Sequence, residues 1–113
     1  MTTFDKREEA FEKKFVLDEE LKFKAEARRN HLIGLWAAAK LGLSGDAADN
    51  YWREIVAAEF SEGGDSAVIA KLAGDLASKG IATTEDEIRV QMDEFWVQAI
   101  AQVKAGMEPK VMG

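Results

Sequence analysis

Cysteine is absent from the 113 residues, so no disulfide, thiolate metal site or cysteine nucleophile can form. That lack also fits a reducing, cytoplasmic setting. A single histidine, His31, excludes metal sites built on two or three imidazoles. A single proline, Pro109, leaves nearly the whole chain free to be helical, and Ala, Leu, Glu and Lys are plentiful. No apolar run approaches the length of a membrane span, about 18 residues or more, so no direct membrane insertion is expected. Charge from Asp5 onward argues against a secretory signal, and the acids there argue against a transit peptide. Gly-rich phosphate loops, dinucleotide fingerprints, internal repeats and low-complexity tracts are all missing. Clustered basic charge is scarce too. The formal net charge is −6 and only Arg28 and Arg29 stand together, which speaks against nucleic acid as a partner.

Helical periodicity is what the chain has instead. The stretch FKAEARRNHLIGLWAAAKLGLSG, 23–45, organises the rest, because from His31 to Gly42 it carries one formal charge, Lys40. A helix apolar on nearly every side belongs in the middle of a bundle. Leu21, Ala25, Leu32, Leu35, Trp36 and Ala39 form a stripe at helical spacing, widened by Ile33, Ala37 and Leu41. This first core helix is expected from Leu21 to about Leu41, ended by Gly42 or Gly45.

A second helix, capped by Ser44, turns Ala48, Tyr51, Trp52, Ile55, Val56 and Phe60 inward and ends near Ser61. A third starts at Asp65 or Ser66, carries Val68, Ile69, Leu72, Ala73 and Leu76, and closes at Gly80. A fourth opens on Thr84 to Glu87, the signature of a capping box. Its stripe is Ile88, Met92, Phe95, Trp96, Ala99 and Val103, and Gly106 ends it. Short connections predict an all-α, antiparallel four-helix bundle over 21–106, with a loose tail at 107–113. Trp36, Trp52 and Trp96 read as core anchors.

Residues 1–20 behave differently. Phe4, Phe11 and Phe15, spaced seven and four apart, share one narrow helical face, while charges of both signs fill the remainder. Three rings do not offset the cost of ordering such a segment unless they dock on something. The pattern predicts a mobile amphipathic arm, disordered or frayed when free and helical when bound. The alternative is that it continues the first core helix and packs on the bundle.

Candidate chemistry is thin. His31 reads as a helix-surface or partly buried histidine, and most carboxylate pairs as solvated faces or helix caps. Arg28 shares the face of Leu21, Ala25, Leu32 and Leu35, and Arg29 lies about 100° away. Two roles are open for this pair: covering apolar surface while pairing with a carboxylate, or contacting an anion such as a nucleotide phosphate. No catalytic constellation emerges. A helical body with an amphipathic arm is instead the design of a protein that inserts a helix into a partner's groove.

The opening MTTFDKREEAFEKKF and the stretch FKAEARRN followed by GLWAAAKLGLSG resemble the zeta subunit family, small inhibitors of the F-type ATP synthase of alphaproteobacteria. The resemblance covers most of the chain and is strongest in those two segments. It implies a four-helix bundle whose N-terminal arm inhibits ATP hydrolysis. It implies that the arm enters a catalytic interface between the alpha and beta subunits, near the gamma subunit, in the cytoplasmic head of the membrane-bound enzyme. Carried over, Phe4, Arg7, Phe11, Lys14 and Phe15 become the partner contacts. The resemblance also implies adenine nucleotide, ADP or ATP, as a regulatory ligand on the bundle, with no cofactor required. Arg28 and Arg29 are the candidate contacts. The competing reading is a helical, nucleotide-responsive binding module without inhibitory activity.

Overall fold

The structure, a computed structural model, describes residues 19–106. Phe4, Arg7, Phe11, Lys14 and Phe15, and the tail from 107, lie outside the described residues. Four helices follow in order: α1 (Glu19–Lys40), α2 (Gly45–Glu59), α3 (Asp65–Ser78) and α4 (Glu85–Lys104). The described residues contain no strand.

Each helix has a physical start and stop. Glu19 and Glu20 place negative charge in the first turn of α1, where the helix dipole favours it. At its other end Gly42 adopts φ +79°, and the amides of Gly42 and Leu43 donate to the carbonyls of Ala39 and Ala38 at 3.2 and 2.8 Å. The same closure ends α3, where Gly80 has φ +75° and Ile81 donates back to Leu76 at 3.0 Å. Only glycine takes this left-handed residue without strain. Thr84 opens α4 as expected: its hydroxyl accepts from the Glu87 amide at 3.1 Å, and the Thr84 amide donates to the Glu87 carboxylate at 2.9 Å. Ser44 stands at the cap position of α2, yet its hydroxyl makes no capping bond.

The helices form an antiparallel bundle with α1 as its central member, packed mainly on α2 and α4. Phe23 meets Phe60 and Gly34 meets Trp52, so α2 runs back along α1. Arg28 meets Gln102, so α4 also runs against α1. On the α2–α3 side Tyr51 donates to Asp75 at 2.8 Å, and Lys71 bridges Glu54 and Asp75, each at 3.1 Å. The main core gathers Ile33, Ala37, Ile55, Val68, Leu72, Leu76 and Ile88 from all four helices. A smaller cluster of Ala25, Ile100 and Val103 joins only α1 and α4. Each large aliphatic fully buried here contributes about 1.5–3 kcal/mol.

The phase of α1 differs from the one its large residues suggest. Its buried face is Ala25, Ala27, Ile33, Gly34, Ala37 and Ala38, while Leu35 and Ala39 are exposed and Leu32 and Trp36 are half-buried. The reason is distance. A Cβ placed on Gly34 would lie 2.6 Å from the Trp52 Cβ and 2.7 Å from its Cα, so α1 and α2 touch backbone to side chain. A helix crowded from two sides needs small residues inward, which leaves leucines outside. Trp52 is the buried anchor at 2 % exposure; Trp36 and Trp96 are only half-buried. Phe60, expected inside, caps the end of α2 and is 63 % exposed.

Two glycine substitutions should therefore act in opposite directions. Gly34→Ala must push α2 away from α1 and should cost about 1–3 kcal/mol, lowering Tm by roughly 5–15 °C. Gly74 sits in the exposed middle of α3 with nothing within 4 Å of a new Cβ. Gly74→Ala should raise stability by about 0.5–1 kcal/mol. Thermal unfolding followed by circular dichroism measures both, and equal effects would show that the α1–α2 contact is not tight.

Candidate functional site

Three consecutive polar residues in the middle of α1 are buried: Arg29 at 7 % exposure, Asn30 at 0 % and His31 at 4 %. A helix presents neighbours about 100° apart, so three buried in a row mean that neighbours press on most of its circumference. Along α1 they separate the main core, which starts at Ile33, from the smaller cluster at Ala25.

Arg29 is the hub. Its Nε donates to the Asn30 side-chain oxygen at 3.1 Å. Its Nη2 donates to Glu59 Oε1 at 3.0 Å and to Asp65 Oδ1 at 2.8 Å. Asn30 adds a donor to the same Glu59 oxygen at 3.0 Å. The guanidinium carbon lies 5.6 Å from the centre of the Trp96 ring, within cation–π range. Arg29 thus ties the end of α2, the start of α3 and the side of α4 to the middle of α1. Arg28, the residue placed on the core face by the leucine stripe, is only half-buried: its Nε donates to the Gln102 side chain, and its Nη1 lies 3.4 Å from His31 Nδ1. His31 is more enclosed than its sequence surroundings suggest, its ring 3.9 Å from that of Trp52.

Two carboxylates around one guanidinium leave an excess negative charge. Burial pushes the Glu59 carboxyl up from 4.5 to about 7, helped by its contact with Asp65 and opposed by Asn30 and Arg29. Burial also acts to raise Asp65, but the hydrogen bond with Glu59 and the charge of Arg29 outweigh it, so Asp65 is held below the ordinary carboxylate range. The two titrate as a pair. Arg29 and Asn30 from α1 and Asp65 from α3 face Glu59, while Arg89 from α4 acts on Asp65.

Of the two roles open for the arginine pair, carboxylate pairing describes what Arg29 does. An anion approaching that guanidinium competes with oxygens already at 2.8 and 3.0 Å. Among the described residues no three His, Asp or Glu side chains gather as a metal site. The buried run Arg29 to His31 escaped sequence reasoning because its partners lie on α2, α3 and α4. The signal available was Gly34 inside a helix, which marks a close crossing.

The next feature stands where α1 begins. Phe23 and Phe60 pack with ring centres 5.6 Å apart, at 39 % and 63 % exposure. They wall a hollow whose other sides are Glu26, Ala27, Val56 and Glu59. A second, open hollow continues from Phe23 past Glu26 and Lys22 to Glu19, where the described chain starts.

The paired carboxylates set a pH dependence whose sign follows from the raised Glu59. Between 4.5 and about 7 the folded state holds a proton on Glu59 that the unfolded state has lost, so stability falls as pH rises through that window. Asp65 acts oppositely: its contribution is present above its ordinary 3.8 and is lost as pH falls through its lowered value. Unfolding should therefore show a lower Tm at about pH 8 than at about pH 5.5. Glu59→Gln, which keeps an acceptor for Arg29 and Asn30, should remove most of that decline. Arg29→Met should cost about 3 kcal/mol at neutral pH, because it strands carboxylates. An unchanged pH profile in Glu59→Gln would place the titration elsewhere.

A search among curated proteins finds no match. A solved structure, determined by solution NMR, is 44 % identical to this chain, covers 77 % of it and 99 % of its own length, and superposes with a TM-score of 0.67. The family model described as ATPase inhibitor subunit zeta matches residues 1–102, taking in the N-terminal segment as well as all but the last turn of the bundle. A helical body, 44 % identity to a solved structure and a family match over almost the whole chain lead to one assignment: the chain belongs to the ATPase inhibitor subunit zeta family, by its description a family of regulatory subunits.

Proposed function

We propose that this protein inhibits ATP hydrolysis by an F-type ATP synthase and that residues 1–20 are the inhibitory element. The observation that carries this reading is the reach of the family match, which begins at residue 1 and so includes the residues ahead of α1 as well as its first turn.

The arm acts as a wedge. Wound as a helix, it presents Phe4, Phe11 and Phe15 along one face, with Arg7 and Lys14 among the charges beside them. Buried aromatic anchors supply affinity and flanking charges set orientation. Lodged between alpha and beta subunits near the central gamma subunit, such a helix prevents the closure that hydrolysis requires. Ordering the arm on binding costs free energy, which lowers affinity per contact but permits a close wrap. The bundle carries the arm and stays outside the interface. No described helix is long and apolar enough to cross a membrane. The chain meets the enzyme at its cytoplasmic head, as the resemblance to the zeta subunit family implies.

Hydrolysis by the matching ATP synthase head should fall with the full chain and recover with a chain starting at Leu21, circular dichroism confirming that the shorter chain is folded. Phe11→Ala and Phe15→Ala should each weaken inhibition tenfold or more, the size of an interface hot spot worth about 1.4 kcal/mol or above. Neither should move Tm appreciably. Inhibition by the shortened chain would overturn the assignment of the arm. A large loss of Tm in either variant would instead place that ring in the bundle.

A further inference from the structure

We propose that the corner between α2 and α3, residues 60–64, is a proton-operated latch. It is shut while Glu59 and Asp65 share one proton over Arg29, and it opens, releasing Phe60 from Phe23, when that proton leaves. The device depends on the charge cluster alone and is independent of the inhibitory reading above.

One guanidinium nitrogen serves two carboxylates: Arg29 Nη2 donates to Glu59 Oε1 at 3.0 Å and to Asp65 Oδ1 at 2.8 Å. The other charges nearby do not restore the balance. From α1, Glu26 lines the same hollow as Glu59. From α4, Arg89 and Asp93 share a second hollow with Arg29 and Asp65, and offset each other. In the corner itself Glu62 is exposed and adds negative charge. His31 turns instead to Trp52 and Arg28. The fully ionised cluster is therefore negative around a guanidinium at 7 % exposure, and one shared proton cancels the excess. Position decides which carboxylate holds it. The Glu59 side chain is 14 % exposed against 57 % for Asp65. Glu59 is the last residue of α2, where the helix dipole opposes negative charge, and Asp65 is the first of α3, where the dipole favours it. Both effects put the proton on Glu59, in line with its raised pKa and the lowered one of Asp65.

An ionised Glu59 needs water. The hollow beside it has about 10 Å³ free, barely the room of one water molecule. Hydration therefore requires movement, and the backbone provides for it. Glu59 ends its helix, so its release unwinds nothing beyond the last turn of α2. Its second oxygen faces the corner: a Cβ on Gly64 would lie 3.7 Å from Glu59 Oε2. Gly64 itself has φ +55° and follows another glycine, so the chain can pivot there at little cost. The bonds of the corner are local, Phe60 to Ala57, Ser61 to Ala58 and Gly64 to Ser61, each at 3.1 Å. On opening, Asp65 keeps Arg29 while Glu59 swings to solvent. Phe60 goes with it, and at 63 % exposure it has little packing to lose besides its contact with Phe23.

Nuclear magnetic resonance on the full, isotope-labelled chain tests the latch from about pH 5.5 to about pH 8.5. The side-chain carboxyl carbon of Glu59 should titrate with a midpoint near 7. Over the same range the ring-to-ring cross-peaks between Phe23 and Phe60 should vanish and the amide signals of 57–64 should shift, while those of Val68 and Leu72 stay in place. Glu59→Gln, which supplies a neutral donor and acceptor in place of the protonated acid, should keep the cross-peaks throughout. Asp65→Asn, which removes the other charge, should also keep them and should bring the Glu59 midpoint down. A Glu59 midpoint in the ordinary carboxylate range would overturn the shared proton. Cross-peaks that survive the titration of Glu59 would reduce the proton to a stability effect and overturn the latch. Cross-peaks lost alike in Glu59→Gln or in Asp65→Asn would assign the opening to another group and overturn it too.

Discussion

Burial of the Arg29 charge is the constraint on which the rest of the bundle depends. A guanidinium at 7 % exposure is tolerable only if its donors are met, and here they are met by Asn30, Glu59 and Asp65. Glu59 is the last residue of α2 and Asp65 the first of α3, so satisfying one side chain fixes where two helices stop and start. It also fixes the intervening turn, and with it the outward placement of Phe60. Replacing this network with apolar side chains need not weaken the fold. What it supplies is register: α2 and α3 can slide along α1 only by breaking charge-assisted bonds.

The second constraint is closeness. Ala27, Gly34 and Ala38, spaced seven and four apart, make a groove of small residues along α1, and Trp52 lies against its middle. His31 stacks on the same ring. The helix that looks most hydrophobic by composition therefore packs through its smallest side chains. Two of its leucines, Leu32 and Leu35, are left half-buried and exposed, outside the main core. Close packing of this kind gains in dispersion what it loses in side-chain area.

These two constraints explain what the sequence disclosed and what it hid. Helix spans, the Thr84 capping box, the glycine closures at Gly42 and Gly80, and the inward faces of α3 and α4 follow from local chemistry, and each stands within a residue or two of its expected place. The phase of α1 does not, because a periodicity argument ranks Leu above Ala and Gly, whereas a close crossing reverses that order. Arg29 was hidden for a different reason. Whether an arginine is buried depends on partners about thirty residues away, and neither Glu59 nor Asp65 is distinguishable in sequence from the other acids of an acidic chain. Phe60 was assigned inward by continuing the stripe of α2 one turn too far; the helix ends at Glu59, so the stripe no longer governs the next residue.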